Sequence, residues 1–346
     1  MSVKTQKIRQ TKTLLPREAL REVDRRVAIR ESAALVLGSP SITQANAANA
    51  ANAVNAVDQP VGVLDRTLPA RVTARAVLAS EFSAVREGIA IAANDQLEIA
   101  VRLGGVHRAR RGLKRLQALR DLLQSGFVQG RNRAQVSIRR AKESLAEARQ
   151  RDALASLLEE LCALRGQPLT TPPVGSSQSS HLAPSAPSIA QALDATMLAE
   201  RSMCLCSGAS LDWHELTAQF SSTWRAARVL ALRPWLGLGE TDLHDARKKF
   251  QRIADQMAVM EGCITAQRYS ARRRLRTAAE NLGRARDLAL LADKIEGTTA
   301  EGRALAKRAL ALRAKAVRRA REQSRLALNE TPSSMLRAMR RRIARR

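Results

Sequence analysis

Apolar residues in this chain recur at the spacing of helices, not of strands. Between residues 71 and 103, Val77, Phe82, Val85, Ile89, Leu97 and Val101 recur at close to whole turns. Asn94-Asp95 interrupts that stripe and predicts two helices where it breaks. Gly104-Gly105 reads as the stop of the second, with a third helix opening at His107 and running to about Leu123, ahead of Gly126. After Gly130 a long helix is predicted over roughly 131–163. Apolar periodicity resumes near Ile189. Trp213, Trp224 and Trp235 recur every 11 residues, about three helical turns. That stripe reads as core packing, with base stacking as the alternative, and His214 beside it reads as structural. Further helices are predicted over Leu243–Glu261, through Arg268, Arg272 and Arg276 at i, i+4 and i+8, and over 299–328. Pro332 is read as ending the last of these, and Met335–Arg346 as a basic tail with helical potential.

Two stretches lack this periodicity. Residues 1–66 combine a basic N-terminal segment (Lys4, Lys7, Arg9, Lys12), a short amphipathic helix predicted from Pro16 to Leu37, and an Ala/Asn triplet run from Ala45 to Ala56. Gly38-Ser39-Pro40 and Gln59-Pro60-Val61-Gly62 bracket the run, which offers little apolar bulk against the entropy of ordering. The early cations read as a solvated tail or as an extra anion contact. The second stretch, 166–188, is rich in Pro, Ser and Thr, and Pro172-Pro173, Pro184 and Pro187 exclude a helix interior. His181, within it, reads as solvated. The resulting organisation is an N-terminal segment and linker over 1–66, a helical domain over 67–328 and a basic tail over 329–346. The domain divides into a first half at 67–165, a linker at 166–188 and a second half at 189–328.

Composition sharpens the fold class. The 45% hydrophobic content is mostly Ala, Leu and Val, and aromatic residues are only 2%, so an all-α protein is expected. Charge bears on partners: 59 Lys and Arg against 32 acids give +27, a self-repelling balance that calls for a polyanionic partner such as nucleic acid or an anionic membrane. Arg far outnumbers Lys, and its planar fork suits bidentate phosphate contact. The cysteines (Cys162, Cys204, Cys206, Cys263) form no C-x-x-C pair and read as small buried residues of a reducing compartment. No apolar run approaches the ~18 residues of a membrane span, so no membrane insertion is expected and the cytoplasm is the expected compartment. The chain carries no P-loop, no H-E-x-x-H, no Gly-rich nucleotide turn and no carboxylate cluster for magnesium. Neither catalysis, nor a cofactor, nor a metal is therefore expected.

Two short segments concentrate the candidate chemistry. His107 is followed by Arg110, Arg111 and Arg115 at three, four and eight residues, and His244 by Arg247, Lys248 and Arg252 at the same spacings. At about 100° per residue these cations share one broad helical face with the histidine; Lys114 joins it in the first copy, whereas Gln251 occupies that place in the second. A single offset of 137 residues carries His107 onto His244, and also Arg131 onto Arg268, Arg139 onto Arg276, Glu143 onto Glu280 and Arg149 onto Arg286. The chain therefore holds two homologous halves, each a His-led basic helix followed by an Arg-bearing helix. A lone basic stripe is usually a solvated face; its recurrence at one offset favours anion binding.

Val106-His107-x-x-Arg110 with Lys114-Arg115, Leu243-His244-Asp245-x-Arg247-Lys248 and Leu282-Gly283-x-x-Arg286-Asp287-Leu288 give the sequence a resemblance, over roughly 67–328, to the CHAD (conserved histidine α-helical domain) family. The resemblance implies two helical-bundle halves of about four helices each, related by a pseudo-twofold axis, and inorganic polyphosphate as partner. Association with polyphosphate granules follows from that partner. Its expected contacts are His107, Arg110, Arg111, Lys114, Arg115, Arg131 and Arg139 in the first half. In the second they are His244, Arg247, Lys248, Arg252, Arg268, Arg272 and Arg276. Glu143, Glu280, Arg286 and Asp287 are expected to orient these cations. The pattern departs from the family at Gln117 and Ala254, where Arg is usual, and at Gln251, where Lys is usual, so weaker binding by the second half is expected. Whether the imidazoles touch the ligand or position the cations stays open, as does a nucleic-acid-binding role for the same surface. Both His-led helices are expected to face one shared basic groove.

Overall fold

The structure, a computed structural model, describes residues 62–124, 131–146, 185–203, 211–235, 239–265, 268–295 and 300–345, together with 154, 157–158 and 160–161. The readings made for the basic N-terminal segment, the Pro16–Leu37 helix, the Ala/Asn run and His181 lie outside these residues, as do Cys162, Cys204 and Cys206. Among the described residues there are nine α-helices and no strand. They are α1 (Ala70–Ala93), α2 (Ile99–Leu122), α3 (Arg131–Ser144), α4 (Ala186–Ser202), α5 (Trp213–Leu232), α6 (Glu240–Val259), α7 (Tyr269–Ile295), α8 (Ala300–Ala327) and α9 (Pro332–Ala344).

α1 packs along α2, and α4 packs on α3 and α1. α6 packs between α5 and α7, and α7 pairs along its length with α8. The two sets meet where α2, bearing His107, lies against α6, bearing His244. Leu113, Leu116 and Leu119 of α2 are fully buried in one core with Phe82 of α1, Phe220 and Trp224 of α5, and Phe250 and Met257 of α6. Gln256 on α6 is buried and donates from Nε2 to the Ala118 carbonyl of α2 at 3.1 Å. A smaller cluster, Leu288, Leu291 and Ile295 of α7 with Leu305 and Ala309 of α8, closes the other end of α7.

Two sequence expectations need correction. Gly104-Gly105 does not stop a helix: α2 runs unbroken from Ile99 to Leu122, and His107 lies inside it. The glycine serves a crossing. A methyl at Gly105 would stand 2.7 Å from both the Ala92 nitrogen and the Gly88 oxygen of α1, and one at Gly88 would stand 2.7 Å from the Ala109 nitrogen of α2. The two backbones touch, which only a missing Cβ permits, and that packing outweighs glycine's poor helix propensity.

The second correction concerns the C-terminal stretch, which is no tail. Pro332 occupies the first turn of α9, whose N-cap Thr331 accepts from the Ser334 amide at 3.3 Å. Met335 and Met339, one turn apart, are buried in the main core against α5, with Ile343 beside them. Arg342 Nε donates to the Gly262 carbonyl at 3.0 Å.

The tryptophan stripe is core. Trp213, Trp224 and Trp235 are buried, and their indole nitrogens donate to the carbonyls of Leu68 (3.2 Å), Glu330 (3.1 Å) and Leu230 (2.9 Å). Trp235 lies past the end of α5, beyond Pro234, and stacks on Phe250 of α6. His214 Nε2 accepts from Arg340 of α9 at 2.8 Å. Cys263 is buried in the core.

Candidate functional site

α2, α6 and α7 enclose a groove with a cavity of about 370 Å³. α2 contributes His107, Arg110, Arg111, Lys114 and Arg115; α6 contributes Arg247, Gln251 and Asp255; α7 contributes Arg272, Arg276, Glu280, Gly283, Arg284 and Asp287. Among the described residues, eight Lys or Arg side chains thus line the groove against three carboxylates, an excess that leaves it strongly cationic.

The α2 residues are held in different ways. His107 is exposed, and its Nε2 lies 3.0 Å from Arg111 Nη2, one turn on. Arg110 donates to the Lys142 carbonyl of α3, which fixes it against the neighbouring helix. Lys142 in turn donates from Nζ to Gln117 Oε1 at 3.0 Å. Arg115 is buried; its Nε pairs at 2.8 Å with Glu81 of α1, itself fully buried. Glu81 sits within the apolar stripe Val77, Leu78, Phe82 and Val85 of α1; the sequence reading missed it, and a lone acid in such a stripe is the signal that could have found it.

Lys114 and Lys142 show the cost of burying a cation among other cations. Burial, then Arg247 and Arg110, lower the Lys114 pKa to about 8. Burial, then Arg110, Lys248 and Arg252, lower that of Lys142 to about 8. Asp255 behaves in the opposite sense: burial raises its pKa to about 7, opposed by hydrogen bonding from Gln251 and by the charges of Arg115 and Lys114. Gln251 Nε2 lies 3.0 and 3.2 Å from the two Asp255 oxygens. The residue standing where the family resemblance leads to Lys is therefore a tether for a carboxylate. Asp255 lies eleven residues beyond His244 on the same helix face, a spacing legible in the sequence.

The remaining predicted residues are distributed as follows. His244 lines not this groove but an adjoining cavity of about 230 Å³, with Glu240, Thr241, Leu243, Leu282, Ala285 and Arg286; Arg247 lines both. Burial, then Lys248, Arg286 and Arg247, lower the His244 pKa and so favour its neutral imidazole. Arg252 pairs with Asp121 of α2 at 2.9 Å, and exposed Lys248 lies 3.5 Å from Asp245. Arg272 pairs with Glu261 at 3.1 Å. Arg276 pairs with Glu280 at 3.1 Å on α7, and Arg139 with Glu143 at 3.3 Å on α3, both at i,i+4. Arg139 and Glu143 are exposed on α3. Arg268 is engaged away from the groove, its Nε donating to Glu330 at 2.9 Å and its Nη1 to Thr265 at 3.0 Å. The side chain of Arg131 lies outside the described residues. Arg284, which the sequence reading passed over, also lines the groove and pairs with Glu160.

Among the described residues no group of three His, Cys, Asp or Glu side chains is placed to hold a metal ion, and no helix is long and apolar enough to cross a membrane. No family model and no curated protein matches the sequence. The structure is similar to the crystal structure of the CHAD domain from the plant Ricinus communis, with a TM-score of 0.50 and 17% identity over 78% of this chain and 93% of that chain. The chain therefore has a CHAD-like, all-α fold.

Proposed function

We propose that a chain with this fold and this groove binds inorganic polyphosphate, a linear polyanion, and does so without cleaving it. The observation that carries the reading is the convergence, among the described residues, of eight Lys and Arg side chains from three helices on one concave surface. The lowered pKa of Lys114 supports it: burial first, and then Arg247 and Arg110, disfavour its charged form, and an anion placed among these cations would offset both. The arginines would supply charge-assisted, partly bidentate hydrogen bonds to phosphate oxygens, and counterion release would make affinity fall with salt. Association with polyphosphate granules in the cytoplasm is part of the same proposal.

A replacement of Arg110→Ala together with Arg247→Ala is expected to weaken polyphosphate binding by on the order of tenfold per arginine, with helicity by circular dichroism unchanged. Equal affinities for wild type and variant would refute the site.

A second reading, general binding of nucleic acid by the same basic surface, draws on cations that extend it beyond the groove. Arg303, Lys307, Arg308, Lys315, Arg318 and Arg319 are exposed along α8, outside the groove. Competition separates the two. Labelled polyphosphate displaced by unlabelled polyphosphate but not by duplex DNA at equal charge supports the groove, and equal displacement moves the second reading ahead.

A further inference from the structure

The groove and its neighbouring cavity lie end to end on one face of α6. His244, Arg247, Gln251 and Asp255 stand at i, i+3, i+7 and i+11 of that helix, a single stripe about 16 Å long at 1.5 Å per residue. α7 walls both: Leu282 and Arg286 face the smaller cavity, Gly283 and Asp287 the larger. Of the described lining residues only Arg247 belongs to both.

Its place there depends on a missing side chain. A methyl on Gly283 would stand 2.9 Å from Arg247 Nη2, 3.0 Å from Cζ and 3.2 Å from Nε. Three guanidinium atoms at nearly equal distance mean that the planar group presents its face to the α7 backbone at this glycine. Any Cβ would force the guanidinium off this seat. The same cation lowers the pKa of Lys114 on one side and of His244 on the other, so its charge is felt at both ends of the track.

We infer that Arg247, seated on Gly283, is the threshold of one continuous anion track and sets a chain-length preference. A short phosphate oligomer is held in the larger groove, whereas a longer chain crosses Arg247 and reaches His244 and Arg286. The inference rests on the polyphosphate reading above and deepens it. A chain held in the groove presents its next phosphates to the smaller cavity at high effective concentration, so the second contact adds affinity that a short oligomer does not gain. Arg247 takes part in both modes, as the last cation met by the short ligand and a mid-chain fork for the long one.

The test is the ratio of long-chain polyphosphate affinity to tripolyphosphate affinity, each measured by calorimetric titration on the full chain. Comparing one ratio between variants removes the advantage that any long polymer has from its many overlapping registers. In Gly283→Ala, and separately in His244→Ala with Arg286→Ala, the ratio is expected to fall on the order of tenfold relative to wild type. The second variant keeps the test intact if the first perturbs folding. A ratio that stays at the wild-type value in the His244/Arg286 variant overturns the inference while wild-type binding leaves the groove reading standing. Failure of the wild-type chain to bind either phosphate overturns both.

Discussion

Asp255 and Lys114 make stability depend on pH with opposite signs. Asp255 titrates near 7 rather than 3.8, so between those values the folded chain holds a proton that the unfolded chain releases. Its contribution to stability is present at low pH and is lost as pH rises towards 7. Lys114 and Lys142 titrate near 8 rather than 10.5, so between those values the unfolded chain holds protons that the folded chain has shed. Stability of the ligand-free protein therefore climbs as pH rises through that window. A bound polyanion opposes each proton loss: it favours neutral, protonated Asp255 and charged, protonated lysines. Affinity for polyphosphate is expected to fall in two steps, one near pH 7 and one near pH 8, with proton uptake on binding measurable as a buffer-dependent heat. In Asp255→Asn the lower step is expected to vanish and the upper to remain. A wild-type profile flat from pH 6 to 9 would remove this account.

Two glycines in helix interiors are expected to answer the same substitution in opposite ways. Gly105→Ala places its methyl 2.7 Å from backbone atoms of α1, which cannot yield without parting the helices. Ala is favoured over Gly in a helix by about 1 kcal/mol, yet a net loss of about 1–3 kcal/mol in urea unfolding is expected. Gly283→Ala meets only the movable end of Arg247, so its stability is expected to be unchanged or up to about 1 kcal/mol higher. Equal losses at both positions would show that helix crossing does not govern Gly105. The pair also marks how far the sequence could be read. The apolar periodicity of Val77 through Ile89 and the repeated His-led cation spacing announced α1, α2 and α6 directly. Gly104-Gly105 misled, because a glycine that stops a helix and one that lets two helices touch are the same letter, and only the partner backbone tells them apart. Asp255 and Glu81 were missed for a related reason: a carboxylate buried beside arginines in space has no marker beyond its place in an apolar or cationic stripe.

At the scale of the whole molecule, α9 completes the core. Met335→Ala is expected to cost about 2–5 kcal/mol, as for other fully buried methionines, although the residue lies in what reads as a charged tail. A thermal melt showing no change would mean that α9 is dispensable to the fold. Charge acts over the same scale. A chain of +27 repels itself, so long-chain polyphosphate is expected to raise the melting temperature and the gain to shrink as salt is added.

The buried indoles have an optical consequence. Trp224 donates to the Glu330 carbonyl at 3.1 Å, and the Glu330 carboxylate takes hydrogen bonds from Arg268 at 2.9 Å and Ser334 at 2.8 Å, so this chromophore sits at the joint where α8 turns into α9. The groove, by contrast, has no Trp, Tyr or Phe among its described lining residues. Intrinsic fluorescence is thus a gauge of whether the C-terminal helix is seated and is blind to direct contact at the cationic surface. A shift in emission on adding a polyanion would report a rearrangement carried through the core, and a silent titration would report a ligand settling onto a rigid wall.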